Sequence, residues 1–248
     1  MRVSDEGRRA TLKFINIILS GKLPRAGFLL ESLLVGLLEL TDGANREVQP
    51  IAIGDLWYRL AIICALVQRG HEGGVALGHR QTGLGTKGGV DAVVHAVDTA
   101  LESDEQNVAL SFDCENAFNT LDRDATFAAV KEYMPKLLPV VRCAYGAATP
   151  LHAVGAPPGA EAIWSSRGVR QGDPMGPLLF GVTLQRLLKA VFSAEPSALP
   201  VAYLDDIALV VKPAALERAY KQLVGDGPDR LPQCGRQSAT GQVGRFRQ

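Results

Sequence analysis

The sequence predicts an α+β fold in which a small antiparallel sheet is backed by helices. Three observations predict it. The run Val201-Ala202-Tyr203-Leu204-Asp205-Asp206-Ile207-Ala208-Leu209-Val210-Val211 is apolar and β-favouring, interrupted in its middle by two adjacent carboxylates, and reads as a buried strand or a tight hairpin. Residues 108–113 form a second apolar strand that ends on Asp113. Residues 124–133 and 178–192 read as helices, the first closed by Met134-Pro135 and the second opened by a turn-rich loop over 167–177.

The other elements follow in chain order. Residues 8–20 carry Leu12, Ile15, Ile17, Ile18 and Leu19 in an amphipathic helix that stops at Gly21. An apolar segment over 28–40 meets a turn at Asp42-Gly43, and residues 49–55 form a short strand leading into a turn. A helix over 56–68 comes next. Eight glycines then crowd residues 70–89, which predicts a loop with little regular structure. The Gly88-Gly89 pair opens a helix over 90–101, with Val93, Val94 and Val97 on one face; His95 within it is a packed or surface residue. Residues 137–163 alternate short apolar pieces with Gly and Pro. A last helix spans 213–223, and from Gly225 onward the Gly, Pro, Gln and Arg composition predicts disorder.

Composition narrows the class. The 248 residues are 47% hydrophobic and 21% charged, enough for a real core in one large domain or two modest ones. Lys+Arg 26 balances Asp+Glu 26, so a nucleic-acid partner would have to be met by a local groove rather than by net charge. Cys64, Cys114, Cys143 and Cys234 are too far apart for a CxxC zinc pattern and fit reduced thiols in an intracellular protein. The apolar stretches fall short of the roughly 20 residues of a membrane span, and the polar N-terminus lacks a signal-peptide core.

The Asp205-Asp206 pair is either a turn facing water or a cation site. A bare pair more often faces water. The flanking apolar residues weigh against that, because two adjacent buried carboxylates repel and lose solvation unless a positive charge compensates them. The choice rests on features elsewhere in the chain. If the 108–113 strand neighbours the hairpin, Asp113, Asp205 and Asp206 converge at one sheet end. Hard carboxylate oxygens there suit two Mg²⁺ ions about 4 Å apart.

Three motifs then stand in order. Asp113-Cys114-Glu115-Asn116-Ala117-Phe118-Asn119, Arg167-Gly168-Val169-Arg170-Gln171-Gly172-Asp173-Pro174-Met175-Gly176-Pro177 and Tyr203-Leu204-Asp205-Asp206 resemble motifs A, B and C of reverse transcriptases, with the non-LTR retrotransposon enzymes the nearest likeness. Gln49-Pro50-Ile51-Ala52-Ile53-Gly54 looks like the preceding fingers motif, and the likeness spans roughly residues 10–223. The resemblance implies a right-hand polymerase fingers-palm fold, with partial fingers over 1–105, a palm over 106–223 and an out-of-family tail over 224–248. It implies RNA-directed DNA synthesis from dNTPs on an RNA template and a DNA primer, with two Mg²⁺ ions as cofactor. Asp113 and Asp205 match the principal metal ligands, with Asp206 beside them. Phe118 matches the aromatic gate against a ribose 2′-hydroxyl; core packing explains it equally well. Gln171 and Gly172 match the residues lining the nucleotide, and Tyr203 the aromatic near the primer end. Arg167 and Arg170 would meet phosphates or be solvated loop charges.

The sequence also departs from the family. Gln49 stands where Arg is usual, leaving Arg46 as a substitute triphosphate contact. Leu38-Glu39-Leu40 carries no Lys, and Gly176 replaces a common Ser. After residue 223 the later palm strand, primer grip and thumb are missing, as in a truncated element. An inactive remnant that keeps the fingers-palm fold is the competing expectation. Phe118 and Tyr203-Leu204 argue against an RNA-directed RNA polymerase.

Overall fold

Ser4 sets the start of the first helix: its hydroxyl accepts the Gly7 amide at 3.1 Å, so α1 (Asp5–Leu19) begins ahead of the expected Arg8. The structure, a computed structural model, describes residues 4–23, 27–40, 46–112, 114 and 116–224, without the side chains of 39, 40, 46, 47, 70, 71 and 224. The apolar 28–40 segment divides into one helical turn, α2 (Gly27–Leu30), and a strand, β1 (Ser32–Leu40), which pairs antiparallel with β2 (Arg46–Gly54). The expected turn at Asp42-Gly43 and the tail beyond 224 lie outside the described residues.

Asp55 caps α3 (Leu56–Leu77) by accepting the Trp57 amide at 2.7 Å. This helix continues well past the expected end at 68, through Gly70, Gly73 and Gly74. Each glycine costs a helix about 1 kcal/mol, but tertiary packing overrides that cost here. A Cβ on Gly73 would lie 3.3 Å from Leu178, and one on Gly181 would lie 3.1 Å from Leu77. Two helices approach closely because both lack side chains at the crossing. The helix ends at Gly78, φ +61°.

Next come α4 (Gly89–Ser103), β3 (Val108–Phe112), the short α5 (Ala117–Thr120), and α6 (Arg123–Tyr133), capped by Asp122. The 137–163 stretch holds more regular structure than its composition suggests: α7 (Leu138–Tyr145), β4 (Thr149–Ala153) and β5 (Ile163–Ser165). The chain closes with α8 (Gly176–Ala194), β6 (Leu199–Tyr203), β7 (Asp206–Val211) and α9 (Pro213–Val224).

Two sheets result. One has the order β2-β1-β4-β5, with β4 parallel to β1, and so joins strands from distant parts of the chain. The other, β3-β7-β6, is the expected antiparallel sheet, with Phe112 opposite Ile207 and Tyr203 opposite Asp206. Alternation sorts its side chains. Phe112, Ile207, Leu209 and Val211 join the main core with Leu179, Phe180 and Leu188 of α8. Ala109, Val201 and Val210 instead meet Val97 of α4. The sheet is thus covered on both faces, with α6 packed on α8. No described helix is long and apolar enough to cross a membrane.

A buried ionic cluster ties these layers together. Arg170 and Asp173, with side chains 4% and 2% exposed, pair at 3.3 Å. Asp173 also accepts the hydroxyls of Tyr58 (2.8 Å) and Tyr145 (2.7 Å) and the Met175 amide (2.9 Å). Arg170 donates onward to the Leu30 carbonyl at 2.8 Å and the Thr149 hydroxyl at 3.3 Å, and lies over the Tyr145 and Tyr58 rings. Burial, and then the Asp173 charge, hold both phenols well above the ordinary tyrosine range.

Arg170→Met leaves Asp173 without its counter-charge and should cost about 3–5 kcal/mol; Tyr58→Phe should cost about 1.5–3 kcal/mol, both read from urea unfolding. Below pH about 10 the two tyrosines are protonated in folded and unfolded chains alike and give no pH dependence. Above it the unfolded chain releases protons that the folded one retains, so stability should fall by up to about 1.4 kcal/mol per pH unit per tyrosine. Unfolding at pH 9, 10 and 11 checks this, and Tyr58→Phe/Tyr145→Phe should flatten the slope.

Candidate active site at the β6–β7 turn

Asp205 and Asp206 sit where β6 turns into β7. The loop between the paired Tyr203 and Asp206 is only Leu204-Asp205. Asp206 is exposed, while Asp205 and Tyr203 are half-buried. Leu204 has φ +53°, a left-handed backbone in a bulky residue, which costs about 1–2 kcal/mol. A loop this short with φ > 0 at its first position normally takes Gly there. The strain is therefore held from outside the hairpin.

The holding group is Gln81, within the stretch read as loop. Its side chain is fully buried. Oε1 accepts the amides of Leu204 (2.8 Å) and Gly83 (3.0 Å), and Nε2 donates to the Leu204 carbonyl at 3.1 Å. On either side, the Arg80 carbonyl accepts the Ala202 amide at 2.6 Å, and the Thr82 amide donates to the Ala202 carbonyl at 2.8 Å. Residues 80–82 thus form a one-bridge strand on the outer edge of β6. Sequence reading missed Gln81; the one hint was glycine density, since glycines mark close backbone approach as well as loops.

Asp113 lies outside the described residues. Its chain neighbour Phe112 ends β3, and the register partner of Phe112 is Ile207, next to Asp206. Among the described residues no group of three His, Cys, Asp or Glu side chains is arranged to hold a metal.

Motif A continues into Phe118, whose half-buried ring stacks on Phe180 with centroids 5.0 Å apart. One face is committed to packing; the ring is not enclosed. Gly168 (φ +65°) lies against the motif A backbone: a Cβ there would come within 2.3 Å of the Asn119 main chain, and the Val169 amide bonds the Phe118 carbonyl at 2.8 Å. Motifs A and B are therefore laced backbone to backbone. Arg123, which the sequence did not single out, secures the same seam. Its guanidinium donates to the carbonyls of Gly168 (2.9 Å), Tyr145 (3.2 Å) and Ser165 (3.0 Å).

Gln171 is half-buried and Gly172 exposed. The Gln171 carbonyl accepts the Ala52 amide at 2.7 Å. Gly172 has φ +104°, and a Cβ would approach the Ala52 carbonyl to 2.6 Å. This glycine lets the motif B loop meet β2. Arg170, expected at phosphate or in solvent, is instead enclosed in the Asp173 cluster. Arg167 is the exposed arginine of the loop, donating to the Thr120 carbonyl at 3.1 Å. The Arg46 side chain lies outside the described residues.

The family model for reverse transcriptase (RNA-dependent DNA polymerase) matches residues 60–224. No protein of curated function matches. Among solved structures, apo telomerase from Candida tropicalis, truncated from its C-terminal domain, superposes with a TM-score of 0.54 at 11% identity. That alignment covers 78% of this chain and 46% of the telomerase chain, so this protein spans about half of that relative's length. At such identity the likeness is one of fold, the fingers-palm arrangement of a polymerase. With the family model covering well over half of its residues, this chain belongs to the reverse transcriptase (RNA-dependent DNA polymerase) family.

Proposed function

We propose that this chain is an RNA-directed DNA polymerase domain of non-LTR retrotransposon type, which extends a DNA primer with dNTPs on an RNA template. A primer 3′-oxygen attacks the α-phosphorus, the bond to the β-phosphate oxygen breaks, and pyrophosphate leaves. One observation carries the reading: the β6–β7 turn presents Asp205 and Asp206 at the end of a sheet whose adjacent strand stops one residue short of Asp113. The non-LTR assignment rests on the motif wording, RGVRQGDP followed by YLDD.

Asp205 and Asp206 fit Mg²⁺, a hard cation that takes carboxylate oxygens, and Asp113 is the third side chain assigned to it. When bound, two such ions activate the 3′-hydroxyl and neutralise charge on the phosphates. The protein's own part is positioning. Phe118, stacked on Phe180, is assigned to the sugar edge as the gate; Gln171 and Gly172 line the nucleotide, with Arg46 toward the triphosphate and Tyr203 toward the primer end. Residues 1–105 act as partial fingers and 106–223 as palm. Arg170 receives no nucleotide contact, because its donors serve the core.

Primer extension on an RNA template with Mg²⁺ tests the reading. The wild-type chain should add dNTPs, and Asp205→Asn should lower the rate by about 10²–10³ or more. Absence of product from folded wild-type chain at high concentration would overturn it in favour of an inactive remnant. Phe118→Ala should raise rNTP incorporation about ten- to a hundredfold relative to dNTP. Unchanged discrimination would remove the gate assignment.

A further inference from the structure

Gln81 is placed to do more than fill space. A buried primary amide is costly unless it is satisfied, and this one directs its bonds at a strained residue. Both lone pairs of Oε1 and one Nε2 hydrogen are used, and two of the three bonds go to the backbone of Leu204. The amide therefore engages Leu204 on both N–H and C=O, as a neighbouring strand would. Its own backbone is fixed by the Arg80–Ala202 and Thr82–Ala202 bonds on the β6 edge. The Thr82 hydroxyl adds a bond to the Gly89 carbonyl at 2.8 Å.

Neighbouring glycines make room for this arrangement. A Cβ on Gly83 would come within 2.6 Å of the Leu204 amide nitrogen and Cγ. One on Gly89 would lie 2.3 Å from the Thr82 carbonyl oxygen and 3.3 Å from the Tyr203 ring. The segment between α3 and α4 is thus shaped to press Gln81 onto the hairpin turn.

We propose that Gln81 is a positioning residue for the reaction: its side-chain amide holds Leu204 in the left-handed conformation and so sets the direction in which Asp205, the next residue, is presented. The inference rests on the polymerase reading above for its catalytic consequence, but not for the clamp itself. Releasing the amide lets Leu204 relax toward negative φ, and rotation there re-aims the Asp205 carboxylate. Misplacement by about 1 Å can cost a hundredfold in rate.

Two measurements separate the clamp from its consequence. The first is amide hydrogen exchange, followed residue by residue. Gln81→Met, similar in volume but unable to bond, should speed exchange at Leu204 and Gly83 by about tenfold or more while Leu209 and Val210 stay protected; a tenfold change corresponds to about 1.4 kcal/mol. Unchanged Leu204 exchange overturns the clamp whether or not the chain is active.

The second is primer extension. Gln81→Met should lower kcat by about ten- to a hundredfold with KM for dNTP within about twofold, because the loss is one of carboxylate aim rather than of nucleotide binding. The discriminating variant is Gln81→Met/Leu204→Gly. Glycine adopts φ > 0 without strain, so it should restore at least about half of the lost rate on a logarithmic scale. A purely structural role predicts no rescue, since Leu204→Gly removes further packing; no rescue, or wild-type kcat in Gln81→Met, overturns the positioning role. If Gln81→Met does not fold, Gln81→Asn, one methylene too short to reach both groups of Leu204, is read by the same criteria. An inactive wild-type chain with a confirmed exchange effect would remove the polymerase reading, and the catalytic half of this proposal with it, and leave the clamp standing.

Discussion

The structure depends first on one buried ion pair. Arg170 and Asp173 stand three residues apart in the loop before α8 and are sealed from solvent. Alone, such a pair is weak evidence of stability, because desolvation offsets most of the Coulomb gain. Its value here lies in what it connects. Asp173 receives Tyr58 from α3 and Tyr145 from α7, and Arg170 reaches α2 and β4. Three helices and one strand of the four-stranded sheet are thereby referenced to the loop that opens α8. The uncharged tyrosines suit this role, since burial beside a carboxylate keeps their protons on.

From that anchor the loop reaches two other surfaces through its main chain. Gln171 bonds the Ala52 amide of β2, and Val169 bonds Phe118. The seam between motif A, motif B and the four-stranded sheet therefore brings peptide groups to hydrogen-bonding distance, with the guanidinium groups of Arg123 and Arg167 adding bonds to its carbonyls. Side chains would prevent such closeness, and the glycines at 168 and 172 occupy the two tightest points.

How much of this the sequence disclosed depended on the range of the interaction. The hairpin was legible because a continuous β-favouring apolar run and the Asp-Asp pair within it are local signals, and Ile207, Leu209 and Val211 face one way while Val210 faces the other. The helices over 124–133 and 178–192 were legible through their punctuation, the stop at Met134-Pro135 and the turn-rich loop over 167–177. The 70–77 stretch was misread because glycine lowers helix propensity, whereas the close crossing of α3 with α8 requires it; propensity is a weak prior where tertiary packing decides. The four-stranded sheet was hidden because β4 and β5 are short and β4 pairs with β1, more than a hundred residues away. Arg170 was misjudged for a related reason. Arginine in a turn-rich loop is ordinarily solvated, and only the fold brings two tyrosines from α3 and α7 to seal it and its neighbour Asp173 from water.

The same distinction bears on what a motif glycine or glutamine means. Gly172 lies in the stretch that resembles the nucleotide-lining motif, and the resemblance assigns it to the ligand. In this chain the space a Cβ would take is already held by the Ala52 carbonyl of β2. Gly83 relates to Leu204 in the same way, and Gln81 completes that contact with two bonds to one residue. Backbone closeness at both places positions the chain around the carboxylate turn. The residues nearest the proposed chemistry are thus held by neighbours that need never touch a substrate, and a hairpin with a strained leucine at its tip can keep that conformation because the edge of its sheet is already occupied.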